Sequence, residues 1–177
     1  MRNILILLVS VMVVYNPLFA NNNPTNPKTD QDPETTVMPK VFLLGDNEAA
    51  YDQLSVEYGT SLFALEDVDP NQAMSIWSNM IKEMEAHAEM LDYDIKGVKM
   101  WMHVFWDEQG KINHIGYYLK PGSRNVDKEE LTSFLMDFVN NYSVPVSYSK
   151  KFSHNSAAAF PTLNWMEKNK LATKGKE

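Results

Sequence analysis

The chain reads as an α+β protein: a small antiparallel sheet, a hairpin plus later strands, packed with two to three helices. Three observations predict this. Residues 98–119 hold two runs rich in aromatic and β-branched residues, VKMWMHVFW and INHIGYYL, joined by the turn DEQGK. Residues 69–91 and 127–142 place apolar side chains at helical steps behind a capping residue. Helices and strands are neighbours in the order without alternating one for one, which points to α+β.

The order begins with MRNILILLVSVMVVYNPLFA. Arg2 gives a positive start, Ile4–Val14 an apolar run broken only by Ser10, and Ala20 a small residue before Asn21. That is the layout of a secretory signal over residues 1–20, and it places the protein in the secreted or periplasmic space. The rival reading is an uncleaved anchor. Against it, the apolar run is shorter than the roughly 20 residues of a spanning helix and is interrupted by Asn16 and Pro17. The chain has no cysteine, which excludes a lipid-bearing thiol and disulfides.

Cleavage after Ala20 leaves 157 residues and, with Arg2 removed from a net charge of −7, a net charge of −8. A domain of that size buries about 70% of its unfolded surface, enough for one core. The acidic balance disfavours nucleic acid and anionic lipid as partners. Residues 21–39 carry Pro24, Pro27, Pro33 and Pro39 with little that is apolar, and read as a disordered or extended linker. A single domain is expected over residues 40–166, with a charged tail over 167–177.

Within that domain, Lys40–Leu44 (KVFLL) is a short strand or buried apolar segment. Asp46 is a candidate cap for a helix from Asn47 to about Tyr58, stopped by Gly59. Leu62–Leu65 is a second short apolar piece. Asp69, Pro70 and Gln72 begin a second helix as cap, first turn and capping-box partner. Ala73, Ile76, Trp77, Met80, Ile81, Met84, Ala88 and Leu91 form its stripe. Val98–Trp106 and Ile112–Leu119 make the hairpin. Asp127 and Glu130 cap a third helix whose stripe is Leu131, Phe134, Leu135, Phe138, Val139 and Tyr142. Val144–Tyr148 and Ala157–Leu163 read as further strands.

The chemistry is sparse. There is no G-x-S-x-G, no phosphate loop and no dinucleotide fingerprint. If Asp107 pairs with Lys111, His103 faces Ile115 and His114 faces Val104. The two histidines then point to opposite faces and share no metal. No metal and no cofactor are expected. The same register puts Trp101, Phe105 and Tyr117 on the face of His103, and Met100, Met102, Val104, Trp106 and Tyr118 on the other. One face takes the third helix; the other takes the second helix or a partner. Residues 117–125 (YYLKPGSRN) add Lys120 and Arg124, which bind an anionic group or neutralise a nearby carboxylate.

A strand, the turn DEQGKI, a return strand, a capped helix and Tyr142-x-x-Pro145 together resemble the C-terminal domain of TonB-type energy transducers. The resemblance covers Val98–Leu163. It implies a sheet edge or hairpin that accepts a peptide strand from an envelope protein. The expectation is therefore a non-catalytic binding protein, with Trp101, His103, Tyr117, Lys120 and Arg124 as binding residues. The alternatives are a secreted hydrolase using His103 or His154 with a carboxylate, or an assembly subunit.

Overall fold

The computed structural model describes residues 37–144 and 147–163. The signal, nearly all of the linker and the charged tail lie outside the described residues. The elements run β1 (Val41–Leu43), α1 (Glu48–Glu57), a 3-10 turn (Leu62–Ala64), α2 (Pro70–Met90), β2 (Lys99–Trp106), β3 (Ile112–Leu119), α3 (Lys128–Asn141) and β4 (Phe152–Ala159). The four strands form one sheet in the order β1-β3-β2-β4. This is the expected α+β arrangement of a small sheet against helices. The sheet is mixed: β3, β2 and β4 are antiparallel, and β1 joins β3 in parallel.

Local signals explain the helices. Asp69 accepts hydrogen bonds from the N–H groups of Asn71 (2.8 Å) and Gln72 (2.9 Å), and Gln72 Oε1 accepts from the Asp69 N–H at 3.0 Å. Two donors that a helix start leaves unpaired are thus satisfied. Asp127 Oδ1 accepts from the N–H groups of Glu129 and Glu130 at the start of α3, without the reciprocal bond from the Glu130 side chain that a capping box would add. In α1 the cap is Asn47, in a left-handed conformation (φ 57°) with no side-chain capping bond, in place of Asp46.

α2 and α3 bury one face of the sheet. Trp77, Met80, Met84, Phe134, Leu135 and Phe138 close over Met100, Met102, Val104, Trp106, Ile115 and Tyr117. A smaller cluster of Met38, Phe42, Leu54, Tyr58 and Phe105 holds α1 on the opposite face. Here β1 runs beside β3, with Phe42 paired to Gly116. A Cβ at that glycine would meet Leu44 Cδ2 at 2.7 Å and the Phe42 ring at 2.8 Å. The buried ring cannot yield, while half-buried Leu44 can swing aside. Gly116→Ala is expected to destabilise the fold by about 3 kcal/mol, the upper part of the usual overpacking range. Urea unfolding checks this; an unchanged midpoint would contradict the packing.

The hairpin departs from the expected register. Trp106 pairs with Ile112, but Phe105 pairs with His114, so Asn113 is an extra residue on β3. Such a bulge moves every later side chain to the other face. His103 and His114 therefore share a face, with Phe105 between them. Tyr117 turns into the α2/α3 core and Tyr118 joins Trp101, the reverse of the expectation.

The last strand begins earlier than Ala157–Leu163 suggested. The Val144–Tyr148 strand is also corrected as far as it is described (residues 145 and 146 are not). Val144 and Tyr148 donate their N–H groups to Gly110 O (2.8 Å) and Glu108 O (2.7 Å), which ties the segment to the hairpin turn and not to the sheet. Among the described residues no helix is long and apolar enough to cross a membrane.

Candidate functional site

The site is an edge and the strip of sheet beside it. In an antiparallel ladder a residue turns both its N–H and its C=O either toward its neighbour or away. The Phe160 N–H points to β2, at 2.9 Å from Val98 O, while the Ser153 N–H points away, at 2.9 Å from Thr60 O. By alternation Asn155, Ala157 and Ala159 aim their backbone groups outward. Those groups find no partner among the described residues, and all three residues are exposed. Exposed edges are usually blunted by lysine, proline or a bulge. β4 (FSHNSAAA) has none of these, and its register with β2 is unbroken.

Two rows of side chains lead inward from this edge on the face that carries α1. Ala157, Trp101 and Tyr118 stand in register across β4, β2 and β3. Trp101 is half-buried and Tyr118 is 43% exposed. The next row is Ala159, Lys99 and Lys120: Lys99 pairs with Ala159, and its carbonyl accepts the Lys120 N–H at 2.9 Å. Neither lysine meets a carboxylate among the described residues.

The structure sorts the five expected residues. Trp101 and Lys120 lie together on this strip. His103 lies one row further along, 8% exposed under α1, with Nδ1 2.8 Å from the Tyr51 hydroxyl and its ring 4.1 Å from that of Phe105. Burial first, and then neighbouring His154, push its pKa down to about 4. Tyr117 is fully buried on the far face, 2.7 Å from Thr132 Oγ1, and so leaves the binding set. Arg124 is tied to the Asp94 carboxylate and carbonyl, and its N–H donates to Gly97 O at 2.8 Å. It neutralises a nearby carboxylate, one of the two roles open to it.

Lys99, Tyr118 and Ala157 were not singled out from the sequence. The regular register expects Tyr118 on the opposite face, but the sequence carries a signal of the bulge. Ile112 and Ile115, both apolar and both buried, differ in parity, which a regular strand with one buried face does not allow.

His103 and His154 meet no carboxylate among the described residues. His154 is wedged between Phe63 and Trp77 (ring centres 5.1 and 4.9 Å). His87 does pair with Asp137, at 2.7 Å. A groove of about 460 Å³ between α2 and Tyr142–Tyr148 is lined by Asn71, Gln72, Ser75 and Asn79 and holds no histidine among its described residues. Among the described residues no three His, Asp or Glu side chains converge as metal ligands. A scan of protein-family models, a search of curated proteins and a search of solved structures each return no match.

Proposed function

We propose that this is an exported, non-catalytic binding protein that accepts an extended peptide strand on the outer edge of β4. The observation that carries the reading is the row of outward backbone groups at Asn155, Ala157 and Ala159, which find no partner among the described residues. An added strand would pair with them as a fifth member of the sheet, gaining affinity from the main chain and specificity from alternate side chains. The small side chains at Ala157 and Ala159 leave Trp101 and Lys99 reachable from the edge. The resemblance of residues 98–163 to the C-terminal domain of TonB-type transducers points the same way and suggests an envelope protein as the source of the strand.

The test is selection of peptides from a random dodecapeptide display library on the immobilised full chain. Each recovered peptide is then measured against Ala157→Pro. That proline removes one outward donor and leaves the β2 ladder intact. Binding should weaken about tenfold, the loss of one main-chain bond in a desolvated contact. Recovered peptides that bind Ala157→Pro as well as the parent chain would contradict the proposal. So would a chain that occupies β4 with a second copy of itself, seen as a dimer by sedimentation.

Export has its own readout. The mature N-terminus should be Asn21, in the soluble envelope or the medium, by mass spectrometry. An intact Met1 in the membrane fraction would show an anchored protein.

A further inference from the structure

We infer that the accepted strand belongs to another protein and carries a side-chain carboxylate two residues away from an aromatic or large apolar residue. This rests on strand acceptance at β4. The evidence is the pair Lys99 and Lys120. Lys120, the residue after β3, donates its N–H to Lys99 O on β2; this continues the β2–β3 register and sets the two lysines opposite each other, with no carboxylate partner among the described residues. Like charges placed opposite in a sheet are destabilising. The chain has 23 Asp and Glu against 16 Lys and Arg, yet among the described carboxylates none is placed to neutralise this pair. A carboxylate from outside would relieve it.

Geometry fixes where that carboxylate falls on the incoming strand. Paired residues share a face, so the residues opposite Ala157 and Ala159 project to the side of Trp101 and Lys99. They are two apart in sequence and about 6.7 Å apart in space. The added strand lies two strand spacings from β2, about 9.6 Å. The alanine methyls leave that gap open, and an indole or a lysine stem spans much of it. The residue opposite Ala157 therefore meets the Trp101 ring, with Tyr118 behind. The residue opposite Ala159 meets the Lys99 ammonium, with Lys120 adding to the positive field. The exposed aromatic favours a flat apolar side chain at the first position.

The peptides recovered on the full chain give the test. They should be enriched in Asp or Glu two positions from Phe, Tyr, Trp or Leu. Their affinity should fall about tenfold in a variant carrying Lys99→Glu and Lys120→Glu, about the sum of two exposed charge pairs reversed. The neutral pair Lys99→Gln and Lys120→Gln should fall between; both variants should keep the parent far-ultraviolet spectrum, and the neutral pair should melt no lower than the parent, since it relieves the repulsion. Raising the salt to about 0.5 M should narrow the differences, because exposed charges are screened. Peptides that need Ala157 but show no acidic enrichment, or ignore the lysine changes, would overturn the carboxylate inference and leave strand acceptance standing. Peptides indifferent to Ala157→Pro would overturn both.

Discussion

His103 alone should remove about 3 kcal/mol of stability as the pH drops from 7 to 4. The ring is buried between β2 and α1, and its folded pKa is held near 4 against an ordinary 6.5. In that interval the unfolded chain binds a proton that the folded chain does not. Stability is therefore fully present above 6.5, lost as the pH falls toward 4, and unchanged by this group below that. Protonation makes Nδ1 a donor, so the Tyr51 hydroxyl oxygen must then accept from it. His154, whose pKa burial also lowers, adds in the same direction. His103→Phe keeps the aromatic packing against Phe105 and removes the titration. Urea unfolding from pH 7 to 4 should show the parent losing about 3 kcal/mol more than the variant. Parallel pH curves for the two would contradict a buried, neutral His103.

Proline at two adjacent positions of β4 should have opposite consequences. Ala158 is buried and pairs with Met100, and its N–H turns toward β2. Ala158→Pro deletes a ladder bond, leaves a buried carbonyl unsatisfied and forces a ring into the α2/α3 core. The expected loss is on the order of 3 kcal/mol or more. Ala157→Pro removes a donor that faces outward and should cost less than about 1 kcal/mol. The contrast tests the alternation of β4 directly by thermal unfolding. Two equally damaging prolines would show that the Ala157 edge is already paired. Two harmless ones would show that β4 is not a strand of the sheet.

Where structure follows from neighbouring residues, the sequence was readable. The Asp69-Pro70-Gln72 cap and the apolar stripe of α2 from Ala73 to Ala88 are local devices and appear as expected, as does the Asp127 cap of α3, while Leu91 at the end of the expected stripe is exposed. The hairpin strands were also legible, because aromatic and β-branched residues crowd them. Parity after Asn113 was not, since one inserted residue exchanges Tyr117 and Tyr118 between core and surface. The start of β4 is not legible because Ser153–Ser156 carries no β-branched residue and no Phe, Tyr or Trp. It is a strand because β2 and the Thr60–Ser61 segment pair with it. The candidate site was half visible. Trp101 and Lys120 could be picked by type, whereas Lys99 and Ala157 matter through their places on β2 and β4. Arg124 looked like a free cation until the fold set it against Asp94.

Hydrogen exchange at the Ala157 and Ala159 amides of the full chain, free and bound to a selected peptide, tests strand acceptance most directly. Both amides should exchange quickly in the free protein and become protected in the complex, while Ala158 is protected throughout. Protection of Ala157 and Ala159 in the free chain, or no change on binding, would contradict it.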